Sequence, residues 1–205
     1  VGEGGFAVFT VSLSNPSTTD VTFNPALASG SATVGTDTAT ALEYFDGATW
    51  LPVPVGGVTI AAGSTTVQVR VATSDDFAAE GSEAFTLNAT VTAGTTANAS
   101  ATGTATITDD SDTTTVALTA TPSVAEGGSI TYTATLTNAA VTPLTVTLST
   151  GQTIGIAAGA TSGSVVVAAP SDDPYLDAGS VSRTIANSSG GAFESLSLDS
   201  TAATT

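Results

Sequence analysis

The 205-residue chain carries 18 acidic residues against two cations, Arg70 and Arg183, for a formal net charge of −16, and it contains no Lys, His, Cys or Met. That inventory excludes Ser-His-Asp, Cys-His and Ser-Lys nucleophiles and tetrahedral His/Cys zinc sites. It also excludes polybasic attachment to nucleic acid or anionic membrane. No apolar run approaches the roughly 20 residues that span a bilayer, so no direct membrane insertion is expected, and no signal-peptide pattern is read at Val1. The length suits one large domain or two small ones. The apolar residues, 41% of the chain, are mostly Val, Ala, Leu and Ile interleaved with Thr, Ser and Gly, a mixture that favours strands.

In chain order, Val1-Gly-Glu3-Gly-Gly leads into Phe6–Leu13, whose period of two predicts a strand with one buried face. Between Leu42 and Leu51, two short apolar runs flank Asp46-Gly47, which predicts a hairpin with a type I′ turn. Alternation returns over Val67–Val71, Ala84–Val91 and Ala101–Ile107. A short acidic joint follows, Thr108-Asp-Asp-Ser-Asp-Thr113, without the Gly/Ser tract of a flexible linker. Beyond it, Thr114–Ala120, Ser129–Leu136, Leu144–Leu148 and Ser164–Ala168 alternate again.

Three strings recur in the same order. Val1-Gly-Glu3-Gly-Gly returns as Val124-Ala-Glu126-Gly-Gly, Ile60-Ala-Ala-Gly-Ser-Thr returns as Ile156-Ala-Ala-Gly-Ala-Thr, and Ser74-Asp75-Asp76 with Glu80 returns as Ser171-Asp172-Asp173 with Asp177. The first string is displaced by a further stretch, so the first copy carries an insertion, the aromatic hairpin at about residues 38–55. The expectation is an all-β chain of two tandem antiparallel β-sandwiches, residues 1–110 and 111–205. The second copy has a lead-in strand at Thr114–Ala120 that the first lacks, and the first closes into Asp109-Asp110 while the second stops at Thr205. The expectation is an excerpt of a longer array, with the second sandwich truncated at its last strand.

The acids cluster where strands end or connect, at Glu3, Asp37, Asp75, Asp76, Glu80, Glu83, Asp109, Asp110 and Asp112. Converging carboxylates repel and raise one another's pKa, and a hard cation removes that penalty. Ca²⁺ takes about six to eight oxygens in flexible geometry, which irregular loops supply, whereas Mg²⁺ demands stricter geometry. The competing reading is a solvated acidic surface that keeps an array soluble.

Glu3-Gly-Gly, Gly35-Thr-Asp37, Ala61-Ala-Gly-Ser-Thr, Asp75-Asp76 with Glu80-Gly-Ser-Glu83-Ala-Phe-Thr, and Ile107-Thr-Asp-Asp110 together resemble a Calx-beta domain. The resemblance implies calcium-ligand roles for Glu3, Asp37, Asp75, Asp76, Glu80, Glu83, Asp109, Asp110 and Asp112. Where that family usually has Tyr after the Asp37 position, this chain has Thr38. Residues 114–205, through Ile156-Ala-Ala-Gly-Ala-Thr-Ser-Gly-Ser-Val, Ala169-Pro-Ser-Asp-Asp-Pro-Tyr-Leu-Asp-Ala-Gly-Ser and Gly190-Gly-Ala-Phe-Glu-Ser-Leu, resemble the Ig-like extender repeats of large bacterial RTX biofilm adhesins of the LapA kind. This second resemblance implies stacked Ig-like sandwiches with Ca²⁺ near their junctions, Glu126, Asp172, Asp173 and Asp177 being the matching acids. It also implies export by type I secretion to the bacterial cell surface. The partners are then neighbouring β-sandwich repeats of the same chain, in a monomer.

The leading expectation is therefore a calcium-stabilised structural spacer of a secreted cell-surface adhesin, with Ca²⁺ at the acidic joint rigidifying the array for adhesion and biofilm formation. The alternative is a carbohydrate- or peptide-binding module using Tyr44, Phe45 and Trp50 of the hairpin. Against it stands a packing role in which Tyr44 and Trp50 pair across the hairpin. An enzyme is not expected, because the acids have only acidic neighbours and no tuning partner.

Overall fold

Every alternating segment forms a strand in the computed structural model, which describes residues 1–171 and 179–205. Residues Val1–Asp76 with Glu80–Asp110 make one unit, and Phe77–Ala79 with Ser111–Thr205 make a second. No helix occurs among the described residues.

The first unit contains β1 (Phe6–Ser12), β2 (Val21–Ser29), β3 (Glu43–Phe45), β4 (Trp50–Pro52), β5 (Val58–Ile60), β6 (Thr66–Ala72), β7 (Glu83–Ala93) and β8 (Ser100–Ile107). They build two antiparallel sheets in the orders β1-β6-β3-β4 and β5-β2-β7-β8. Alternation decides what goes inside. Ala7 and Phe9 of β1 and Val69 and Val71 of β6 face Phe23, Phe85 and Leu87 of the opposite sheet, all buried. Phe9 meets Phe85 edge to face at 5.9 Å, and each large side chain so buried contributes about 1.5–3 kcal/mol. Two turns depend on glycine. Gly57 (φ 91°) and Gly94 (φ 89°) are left-handed, and a Cβ there would stand 2.5 Å from the Phe23 carbonyl oxygen and 2.8 Å from that of Asp20.

The hairpin expected between Leu42 and Leu51 is β3–β4, and its turn differs from the two-residue type I′ expectation. Phe45 pairs with Trp50, leaving a loop of Asp46 to Thr49. The Asp46 carboxylate accepts the N–H groups of Ala48 and Thr49, each at 2.8 Å. Only Gly47 has positive φ, whereas type I′ requires two such residues. Side-chain capping by Asp46 thus replaces backbone handedness as the device that closes the turn. The aromatic pairing also differs, because Trp50 stacks on Phe45 (centroids 5.3 Å apart) while Tyr44 lies opposite Leu51.

The second unit contains β9 (Thr113–Ala120), β10 (Ser129–Leu136), β11 (Leu144–Leu148), β12 (Thr153–Ile156), β13 (Ser162–Ala168), β14 (Ser182–Arg183), β15 (Ile185–Gly190), β16 (Ser195–Leu198) and β17 (Ala203–Thr204). Its sheets run β13-β10-β9-β16, β12-β11-β15 and β14-β17. Val116, Ile130, Tyr132, Val146, Leu148 and Ile154 form the centre of its core. The pairing is antiparallel except that β16 lies parallel to β9. Arg183 is used within this unit, with its guanidinium 5.3 Å from the Tyr132 ring centroid and donating to Gln152 and Thr150.

Candidate metal centre

In the first unit, the segments that leave β2, β6 and β8 carry the acids. The β2–β3 connection tightens around Asp37. Its carboxylate accepts the N–H of Thr33, its own N–H donates to the Thr33 carbonyl, and Gly35 (φ 94°) donates to the Thr38 carbonyl. The loop is then fastened to the end of β6, with the Ser74 N–H donating to the Asp37 carbonyl at 2.9 Å and Ala39 to Ala72 at 2.9 Å. Thr38, next to Asp37, is buried. Asp37 is thereby a fixed, half-buried carboxylate rather than the tip of a free loop.

Glu80 comes from the β6–β7 connection and Glu83 is the first residue of β7. The Glu80 N–H donates to the Asp109 carboxylate at 2.6 Å, tying that connection to the end of β8. Carboxylate oxygens of Asp37, Glu80 and Glu83 all lie within 4.8 Å of one another. The electrostatic consequence is visible in two of them. Desolvation pushes Glu80 above the ordinary glutamate range, with the charges of Asp76, Asp37 and Asp109 adding to it. Glu83 is raised in the same way, first by desolvation and then by Asp37 and Glu80, and it shares a hydrogen bond with Asp37. Both carboxylates are thus driven towards the neutral form, first by desolvation and then by the charges of their acidic neighbours.

The remaining acids of this unit stand in pairs. Carboxylate oxygens of Glu3 and Asp76 lie within 4.8 Å, as do those of Asp75 and Asp110. Gly4, at φ 63°, packs against the Asp75 side chain, since a Cβ there would sit 3.3 Å from the carboxyl carbon, and its N–H donates to Ser74. In the second unit, the Asp112 N–H donates to the Glu194 carboxylate at 2.7 Å. Glu194 was not among the acids singled out from sequence. Its local signal is Ala192, the one non-glycine residue of positive φ (49°) among those described, two positions earlier. Glu126 is exposed and joins no three-acid group among the described residues. Asp172, Asp173 and Asp177 lie outside the described residues.

The hairpin aromatics have a different setting. Arg70, the one cation of the first unit, donates from Nε to Glu43 at 2.7 Å. Its guanidinium lies between the Phe6 ring at 3.9 Å and the Trp50 ring at 4.3 Å. Phe45 and Trp50 therefore join this stack on the outer face of the β1-β6-β3-β4 sheet, while Tyr44 packs against the core. One face of the Trp50 indole is thus covered by Arg70, which leaves less of it for a sugar or peptide ligand.

An all-oxygen carboxylate set with no imidazole or thiolate suits a hard cation rather than zinc or a redox metal. Among solved structures, the chain is similar to CBD12 from CALX1.2, at 13% identity over 98% of this chain and 92% of that one, with a TM-score of 0.39. It is also similar to the class 5 fimbriae chaperone CfaA (9% identity, 91% of this chain and 88% of that one, TM-score 0.28). The Pseudomonas aeruginosa CupB2 chaperone matches at 13% identity over 91% and 92%, with a TM-score of 0.25. No curated protein matches the chain. Residues 112–205 match the model of the LapA domain, and it is to that family that the second part of the chain is similar.

Proposed function

We propose that the chain is a calcium-stabilised spacer from a secreted, cell-surface bacterial adhesin, a structural rather than catalytic element that carries a distal ligand-binding region away from the cell. The match of residues 112–205 to the LapA domain supports the adhesin part. The observation that carries the calcium part is the convergence of Asp37, Glu80 and Glu83 at one pole of the first unit, with two of the three held above their ordinary pKa.

Asp37, Glu80 and Glu83 would hold the ion, with Asp109 and Asp76 close enough to add to its field. Bound Ca²⁺ would supply the positive charge that these groups lack. The residues themselves do the rest. Asp109 fixes the Glu80 backbone, β7 fixes Glu83, and the Thr33–Thr38 turn fixes Asp37, so the donors are preorganised. Because the ion binds the folded form, its binding free energy adds to folding stability, by about 2.7 kcal/mol at a concentration of 100 Kd.

The experiment is thermal unfolding of the full chain, stripped of metal and then titrated with Ca²⁺ or Mg²⁺, with small-angle scattering on the same samples. A saturable rise in melting temperature, larger for Ca²⁺ than Mg²⁺, and a scattering profile that becomes that of a stiffer particle are expected. Equal melting temperatures and identical scattering with Ca²⁺ and with chelator would dispose of the spacer reading in its calcium-dependent form.

A further inference from the structure

Each unit pairs the strand after its Ala-Ala-Gly turn with the strand after its Glu-Gly-Gly. Aligning Ile60-Ala-Ala-Gly with Ile156-Ala-Ala-Gly sets β6 on β13, so that Val69, Arg70, Val71 and Ala72 correspond to Val165, Val166, Val167 and Ala168. β6 pairs with β1 in the same register as β13 with β10, Phe6 opposite Ala72 and Ser129 opposite Ala168. The two strands differ on their other side. β6 is interior, because β3 pairs with it at Val69 and Arg70 and the Ala39 N–H donates to the Ala72 carbonyl at 2.9 Å. β13 is the outer strand of its sheet, and no described strand pairs with its free side.

The phase of the ladder shows what that free side presents. The Leu136 N–H donates to the Thr161 carbonyl, and the Ala169 N–H donates to the Gly128 carbonyl. Bonding alternates along an antiparallel pair. Gly163, Val165 and Val167 therefore bond to β10, and the N–H and C=O groups of Ser164, Val166 and Ala168 face outward. The side chains record the same difference. Val69 and Val71 are sealed at 0% and 1% exposure, whereas Val165 and Val167 are only half-buried. Arg70 is held between Phe6 and Trp50 and paired with Glu43, but its counterpart Val166 is 63% exposed. The strand Ser-Gly-Ser-Val-Val-Val-Ala has strong strand propensity at its valines. It carries neither the charges nor the prolines that usually blunt an exposed edge.

We propose that the free side of β13 accepts an extended segment of another polypeptide, as β6 accepts β3. The occupant presents an aliphatic or β-branched residue opposite Val166, where β3 presents Glu43 to Arg70. Opposite Val165 it presents a larger apolar residue, where β3 presents Tyr44 to Val69. It sets no acid against the edge, because Val166 and its neighbour Thr131 cannot neutralise one. Cations flanking the segment complement a chain of net charge −16, and the same charge sets a second copy at a disadvantage as occupant. Main-chain hydrogen bonds supply the attachment, and the two side-chain positions supply selection. The site owes nothing to calcium, so it stands or falls separately from the spacer reading.

The test follows amide hydrogen exchange of the full chain with a synthetic peptide of residues 38–55 carrying Glu43→Val and a pair of added lysines at its N-terminus. The expected result is saturable protection of the Ser164, Val166 and Ala168 amides, with exchange slowed at least about tenfold. The Val165 and Val167 amides, already bonded to β10, should change far less. A chain variant, Val166→Arg, restores the residue type that β6 has there, at an exposed position that leaves the core intact. The same peptide with its native Glu43 should protect that variant better than the parent chain, and the Glu43→Val peptide should do the reverse. Unchanged exchange of the three outward amides at saturating peptide, loss of that crossover, or protection that grows with chain concentration alone (a second copy as occupant) would each overturn the proposal.

Discussion

Replacing Glu83 by Gln should stabilise the metal-free chain and destabilise it in calcium, and the change of sign is what makes the variant informative. Glu83 stands within 4.8 Å of both Asp37 and Glu80. At that separation each like-charge pair costs about 0.9 kcal/mol in the dielectric of water, and physiological salt reduces this to about 0.5 kcal/mol. Exposure of Glu80 argues for the screened value. Removing one charge relieves two pairs, so the metal-free variant gains about 1 kcal/mol. For a unit of this size that corresponds to a melting temperature about 4 °C higher. Gln keeps a donor for the Asp37 hydrogen bond, so the substitution isolates charge from geometry. In saturating Ca²⁺ the order reverses, because a ligand is lost and the binding contribution shrinks with the affinity. Calorimetry of parent and variant in chelator and in Ca²⁺ reads both arms. A variant less stable than the parent in both buffers, or one with an unchanged calcium response, would refute the electrostatic reasoning.

Three further outcomes are expected. Glu80 and Glu83 are raised in the folded state above the ordinary glutamate value of 4.5, so the stability they contribute is complete below that value and is lost as pH rises through the raised values. Asp46 and Asp199 are lowered, chiefly by hydrogen bonds from Thr49 and Thr201, and act oppositely, losing stability as pH falls below the 3.8 range. The metal-free chain should accordingly melt highest in mild acid and decline towards neutrality, and Ca²⁺ should abolish the decline, as a pH series of melting curves would show. Arg70→Ala removes an ion pair and two cation–π contacts, for a loss of about 1–2 kcal/mol, and Trp50 fluorescence should shift to the red. Gly57→Ala forces a Cβ into the Phe23 carbonyl at positive φ and should cost about 1–3 kcal/mol in denaturant titration, with no effect on calcium affinity.

Much of the fold was legible because alternation and burial are the same property in a half-buried strand. Ser129–Leu136 and Leu144–Leu148 fall on their sequence-read bounds. What escaped has physical reasons. β2 contains Asn24-Pro25, which argues against an interior strand. β5, however, pairs only with Val21–Phe23, so from Pro25 onward β2 has β7 on one side and a free edge on the other. β5 and β12 span three and four residues, too short for a period to show. The parallel pairing of β16 joins residues far apart in the chain, and no local pattern encodes it. The acids were legible as a population at strand ends, but grouping Asp37 with Glu80 and Glu83, rather than with Asp75, depends on how three loops are fastened.

That parallel β9–β16 ladder also governs how the second unit responds to tension. β9 opens the unit's main segment and β16 lies near its close, and because they point the same way, opposed pulls on Thr113 and Leu198 load all their hydrogen bonds at once, in shear. An antiparallel pair pulled from the same end would instead unzip one bond at a time. Once the short β14–β17 pair has yielded, rupture of this unit requires simultaneous failure along the ladder, which makes the arrangement a mechanical clamp rather than a zipper.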